Sequence, residues 1–221
     1  RPAWGIPFDE TRMRDAIKVA GRMGVTSKSK ARDRRPTMDE LDALMNFFQE
    51  RQARAPRSVP MTKIIAFAIF STRRQDEIVR ILHNDFDEDH TRVLVRDMKN
   101  PGGKIGNDIW CDLPAQAVDI IKTMKRRANE ERIFPFNADA ISASFTRACQ
   151  LLTIEDLHFH DLRHDGVSRL FELGWNIPHV AAVSGHRSWQ SLKRYTHLRQ
   201  RGDKYDGWKW LPLVTAARAP A

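Results

Sequence analysis

The sequence predicts a mainly helical (α+β) domain with one small antiparallel β-sheet or hairpin. Three observations carry that prediction. Apolar residues recur at helical spacing in most segments after Thr37. One region, Arg92 to Met98, instead alternates β-branched and polar residues; the turn Asn100-Pro101-Gly102-Gly103 and a partner strand from Asp108 to Leu113 follow it. The chain has 221 residues, 41% of them hydrophobic, enough for one mid-sized domain plus an appendage.

Element by element, Asp9 to Met23 reads as a short helix. Gly24 to Pro36, GVTSKSKARDRRP, is polar and basic and reads as a linker. Residues 1–36 hold ten Lys/Arg against four Asp/Glu, which is +6 of the net charge of +9. They form a basic arm, and residues 37–221 form the compact domain with a C-terminal tail at 203–221. Thr37-Met38-Asp39-Glu40 is a capping box, with Leu41, Leu44, Met45 and Phe48 following at helical spacing. Met61 to Ser71 is strongly apolar and helical, and Arg74 to Leu82 forms the next helix. Pro114 suits the first position of a helix running to about Arg127. Further helices are expected at Ala138–Cys149, Asp161–Leu173, Ile177–Ser184 and Trp189–Thr196. The tail concentrates Trp208, Trp210, Leu211, Leu213 and Val214.

Composition excludes several classes. No apolar run approaches the ~18 residues of a membrane helix, and no signal-peptide pattern opens the chain. Cys111 and Cys149 lack the spacing of a disulfide framework or a zinc site, so a reducing cytosol is expected. An isoelectric point near 9.9 favours an anionic partner such as nucleic acid. The acidic stretch Asn84 to His90 lacks the Gly and the distant Glu of a calcium loop, so a solvated turn is expected there and no metal.

The chemistry lies in the basic residues. His160 and Arg163 are three apart, so they project the same way from a helical turn. A guanidinium offers two parallel donors that match two phosphate oxygens, and an imidazole beside it can hydrogen-bond the phosphate or move a proton. Taken alone, this pair also fits an ordinary surface cap. Order along the chain makes it specific: T-R-R-Q-D-E with Arg74 and Glu77, K-N-P-G-G with Lys99, H-D-L-R-H with His160 and Arg163, S-G-H with His186, and R-Y-T-H with Tyr195.

In these elements, over roughly residues 36–214, the chain resembles the tyrosine recombinases, or phage-type integrases. Their pattern is an Arg in G-L-R-x-x-E, a hairpin Lys, H-x-L-R-H, L-G-H and a nucleophilic Tyr in R-Y-x-H. The resemblance implies a helical catalytic domain that cleaves and rejoins DNA at specific sites through a 3′-phosphotyrosyl intermediate, without metal, cofactor or ATP. It implies that Tyr195 attacks, that Arg74 and Arg163 hold the non-bridging oxygens, and that Lys99 protonates the 5′-oxygen. His160 helps proton transfer, His186 hydrogen-bonds the phosphate, and Glu77 supports the site. Thr72 and Arg73 depart from the family's Gly and Leu, which leaves Arg73 open as the first arginine; Lys104 stays open for Lys99's role. His164 and His197 are expected to pack or support, and Tyr205 to be structural. A free phenol has a pKa of about 10, and the surrounding cations are expected to favour its phenolate.

The resemblance further implies double-stranded DNA as partner, self-association into a tetramer on it, no membrane, and a bacterial cytoplasmic, nucleoid-associated location. The arm would be the remnant of an N-terminal DNA-clamping domain. The tail would dock into a neighbouring subunit, although its apolar residues equally suit folding back on their own core. Two rivals are a type IB topoisomerase, which reseals the same strand, and a non-cleaving DNA-binding regulator. The hairpin–HDLRH–GH layout argues against the first, and the intact residue set against the second.

Overall fold

The computed structural model describes residues 9–23, 32–98 and 106–216. The chain divides into two compact units, residues 1–32 and residues 33–221. The first contains α1 (Glu10–Arg22). Asp9 caps it by accepting from the amides of Thr11 and Arg12.

In the second unit Thr37 caps α2 (Met38–Arg54) with the expected reciprocal box: its hydroxyl accepts from Glu40 N–H, and the Glu40 carboxylate accepts from Thr37 N–H. This fixes the helix start, and Leu41, Leu44, Met45 and Phe48 enter the core. α3 (Met61–Ser71) is apolar all round after Thr62 and Lys63 and almost wholly buried, as a central helix must be. It packs against α2, α5 (Ala115–Lys122) and α7 (Phe159–Glu172). α4 (Gln75–Arg80), α6 (Ala138–Leu151) and α8 (Ile177–Ser184) complete the helical shell.

The sheet has order β1-β2-β3, all antiparallel: β1 (Phe86–Asp87), β2 (Arg92–Val95) and β3 (Ile109–Asp112), with Val93 opposite Cys111. β2 stops short of the expected Met98 because Asp97 turns to a φ of +46°, where its carboxylate accepts from Gly106 N–H. The hairpin tip, with Lys99, the turn Asn100–Gly103 and Lys104, lies outside the described residues. The acidic turn is held by Arg96 on Asp85, and by His90 and Arg92 on Asp87.

Three expectations are corrected. Pro114 is the N-cap of α5 rather than its first residue, and the helix ends at Lys122. α7 begins two residues early, because Asp161 reaches back to accept from His158 N–H; His160 therefore sits in the first turn. Trp189–Thr196 is two 3₁₀ turns, Trp189–Ser191 and Lys193–Tyr195, closed by bonds to Trp189 and Leu192 carbonyls. That spacing eclipses Leu192 with Tyr195, and both enter a small second core with Val167, Leu170, Phe171, Val180 and Val183.

The tail folds onto the body. Tyr205, Trp208, Trp210 and Val214 are buried in the main core, with α9 (Leu211–Thr215) against α3 and α5. Trp208 Nε1 donates to Asp42. Asp165, fully buried on α7, accepts from Arg35 (2.8 Å), Lys204 (2.7 Å) and the Tyr205 hydroxyl. Arg35 also grips Glu172, and Arg169 pairs with Asp203. A buried carboxylate needs such full pairing.

Candidate active site

The site forms where α3 ends, α4 and α7 begin, and α8 gives way to the tyrosine segment. α3 terminates at Thr72 in the left-handed region, φ +56°. A β-branched residue pays strain there, and this is the position where the integrase pattern has Gly. The strained turn aims the Thr72 carbonyl at Arg163, which donates to it.

Glu77 organises the arginines. It lies 2.6 Å from Arg74, 3.7 Å from Arg73 and 3.8 Å from Arg163, and is 3% exposed. Burial alone would raise its carboxyl pKa, but Arg73, Arg163 and Arg74 together pull it down to about 2. Its second oxygen accepts from Arg74 N–H, capping α4.

Burial tells the two neighbouring arginines apart. Arg73 is fully buried: it donates to the Ser71 and Val183 carbonyls and to Cys111 Sγ. Arg74 is half-exposed, with Glu77 holding one edge of its guanidinium. Arg163 is buried, its two terminal nitrogens bonded to the Thr72 carbonyl and, at 2.9 Å, to Ser184. Burial and the like charges of Arg73 and Arg74 lower its pKa to about 9.

Gly185 closes α8 at φ +70°. A Cβ there would lie 2.4 Å from Met98 Cε and 3.1 Å from Cys111 Sγ. The glycine thus lets Met98, one residue before Lys99, pack against the turn that presents His186. His186 Nδ1 shares a 2.7 Å bond with Ser184 Oγ. Because that hydroxyl donates to Val180, the imidazole proton sits on Nδ1. Burial, then Arg163, Arg74 and Arg73, lower the His186 pKa to about 3. His160 is lowered too, by burial and by Arg163 and Arg74.

Tyr195 is 7% exposed, its ring stacked on Phe171 at 5.9 Å and 11°. Its hydroxyl meets His164 Nδ1 at 2.5 Å. Burial raises its pKa, outweighing Arg194 and Arg163, so the phenol is neutral here rather than the expected phenolate. His164, expected only to pack or support, is thus in direct contact with the Tyr195 hydroxyl. Its place four residues after His160 put both on one face, but no local signal joined it to a tyrosine 31 residues away. Tyr205 is structural, on Asp165. Six of the seven expected site residues therefore lie in one region, and Lys99 lies outside the described residues.

The sequence model of the Phage integrase family matches residues 34–201. The chain belongs to the phage integrase family. This integrase chain is 36% identical over 172 residues to the shufflon-specific DNA recombinase of Escherichia coli, covering 77% of this chain and 42% of that protein. It is 26% identical over 123 residues to the tyrosine recombinase XerC of Corynebacterium glutamicum, covering 53% of this chain and 39% of the relative. It spans about two-fifths of the length of these relatives. Among solved structures, it resembles a lambda integrase(75-356) dimer bound to a COC′ core site, with a TM-score of 0.56 at 20% identity, covering 82% of this chain and 71% of that one. The XerA recombinase structure gives a TM-score of 0.55 at 18% identity, covering 87% and 72%. These similarities establish the shared fold, mainly helical with a small antiparallel sheet.

Proposed function

We propose that this chain is the catalytic part of a site-specific DNA recombinase that cuts and rejoins strands through a 3′-phosphotyrosine. One observation carries the reading: Arg74, His160, Arg163 and His186 converge, and the three of them on α7 and after α8 are all held below their ordinary pKa values by burial and by neighbouring arginines. Such a cluster has an excess of positive charge that a phosphodiester anion would neutralise, and more so the extra charge of its five-coordinate transition state. Tyr195 Oη forms the bond to phosphorus, the bond to the 5′-oxygen breaks, and Lys99 supplies that oxygen's proton. Arg74 and Arg163 bind the non-bridging oxygens, and His186 and His160 become better donors as the phosphate's charge raises their pKa. The bond energy is kept in the phosphotyrosine, so a new 5′-hydroxyl can attack without ATP. The guanidinium groups do the electrostatic work, so no metal is needed.

Double-stranded DNA is the proposed partner, bound in the cytoplasm at the nucleoid, with residues 1–36 as a basic arm and linker that follow the phosphate backbone. The copies assemble as a tetramer. A lambda integrase tetramer bound to a Holliday junction has the same fold, with a TM-score of 0.55. We further propose that the tail, seated on its own body here, takes the equivalent seat on a neighbour in that assembly, a head-to-tail contact that closes into a ring.

A duplex nicked near the scissile phosphate tests the activity. The unaltered protein should accumulate a covalent adduct, even in EDTA, and join the cut strand to a second duplex. Tyr195→Phe should bind and form none. An adduct in the Phe variant would refute the assignment, and resealing of the same strand alone would point to a topoisomerase.

A further inference from the structure

We propose that His164 is a catalytic residue: its Nδ1 takes the phenolic proton as Tyr195 Oη bonds to phosphorus, and returns it when the strand is rejoined. This rests on the reading of Tyr195 as nucleophile.

The dyad has the geometry of an activated nucleophile. Oη and Nδ1 are 2.5 Å apart, within hydrogen-bond reach of a base and the group it deprotonates. The direction of the bond follows from charge. Burial, then His160 and Arg194, lower the His164 pKa to about 4, so at neutral pH its ring is uncharged. Burial keeps the phenol protonated. The phenol therefore donates, Nδ1 accepts, and the imidazole proton is on Nε2.

Both rings are held. Tyr195 stacks on Phe171, with the Arg194 guanidinium 5.5 Å from its centroid. His164 meets His160 edge-on at 5.0 Å. His160, Arg163 and His164 share two adjacent turns of α7, so the proton acceptor and the phosphate-binding pair sit on one rigid element. Tyr195 is largely buried, and His164 is the acceptor that the structure puts on its hydroxyl.

The charges around the dyad set when transfer occurs. His160, Asp161 and Arg163 face it from α7, Arg194 faces it from the tyrosine turn, and Asp33 and Arg35 act on the phenol. The two protonation preferences oppose transfer in the DNA-free chain. A phosphodiester beside Arg163 and His160 brings negative charge that favours an imidazolium, and the phenolic oxygen loses its proton while its bond to phosphorus forms. The proton count balances: one moves from Oη to Nδ1 on cleavage, and one moves back as the P–Oη bond breaks.

The test pairs two changes: His164→Ala, and 3,5-difluorotyrosine at position 195, whose phenol is markedly more acidic. On nicked DNA, His164→Ala should form adduct about 10²–10⁴-fold more slowly with ordinary tyrosine. With difluorotyrosine the loss should shrink to under about 10-fold, because an acidic phenol needs less help from a base. DNA binding should be unchanged. His164→Asn, which can accept the hydrogen bond but not the proton, should stay as slow as Ala. An equal defect with both phenols would make His164 a packing group. Faster cleavage by the variants would make it a restraint on Tyr195. If the unaltered protein forms no adduct at all, the nucleophile reading falls and takes this one with it.

Discussion

Gly166→Ala is the sharpest test of how the fold positions the site. Gly166 lies on α7, three residues after Arg163, where α7 crosses α3. A Cβ there would stand 2.0 Å from the Ile69 carbonyl oxygen, 3.0 Å from its carbon and 3.1 Å from Thr72 Cγ2. Ordinary contact begins at 3.4 Å, so the helices must part by about 1.4 Å at this point, and the obstacle is backbone that cannot rotate away. Overpacking of this kind costs about 1–3 kcal/mol. For a chain of this length each kcal/mol lowers the melting temperature by about 2–4 °C, so a fall of roughly 2–12 °C is expected. The larger effect is on activity. α7 carries His160, Arg163, His164 and the Phe171 stack, whereas Arg74 and the Thr72 carbonyl belong to the other side of the crossing. A misplacement of ~1 Å between groups that must act together costs about 10²-fold in rate. Melting by calorimetry and adduct formation on nicked DNA measure both. Native melting and a native rate in Gly166→Ala would refute the reasoning.

Four further outcomes are expected. Arg74→Ala should slow adduct formation about 10²–10³-fold and cost less stability than loss of the enclosed Arg73. Arg73→Ala should instead destabilise the fold by about 3 kcal/mol or more, since it removes a fully buried guanidinium that holds the Ser71 and Val183 carbonyls as well as facing Glu77; the opposite pattern in melting and kinetics would exchange their roles. Glu77 has its folded pKa depressed to about 2, so its contribution, on the order of 3 kcal/mol, is full above pH about 4.5 and is lost as pH falls towards 2; in acid titrations Glu77→Gln should flatten that limb. If Lys99 protonates the leaving oxygen, Lys99→Ala should cut DNA bearing a 5′-bridging sulfur much faster than normal DNA, and an equal defect on both, with Lys104→Ala showing the rescue, would move the role to Lys104. Truncation after Arg201 would remove buried Tyr205 and Trp208, so the tail is better tested by joining cysteines placed at Asp42 and Lys209, whose side chains now form an ion pair at 2.8 Å, with a short bismaleimide. The locked protein should bind a single site but fail to assemble on two-site DNA in the ultracentrifuge; unchanged assembly would show that the tail stays on its own body.

What was legible in the sequence was local. The Thr37–Glu40 box, the apolar spacing of α2 and the breadth of apolar surface on α3 each concern residues within a turn or two, and local chemistry suffices to read them. The ordered run from Arg74 to Tyr195 identified the family for a related reason: such motifs keep their spacing along the chain. The limits of α5, the early start of α7 and the 3₁₀ geometry around Tyr195 were not legible, because they depend on what each segment packs against.

Tertiary structure decided the remaining questions through burial. Two adjacent arginines are the same chemical group in sequence; the structure distinguishes them because Arg73 is enclosed by carbonyls while Arg74 keeps an open edge. Cations near Tyr195 could be counted in the sequence, but not the desolvation that outweighs them and keeps the phenol neutral. Nor could the sequence bring Tyr195 to His164, or Trp208 to Asp42, which lie 31 and 166 residues apart. A chain's local pattern specifies which groups it owns and which face of each element they occupy. Which of them share a low-dielectric space, and so change one another's charge, depends on the packing of elements distant in sequence.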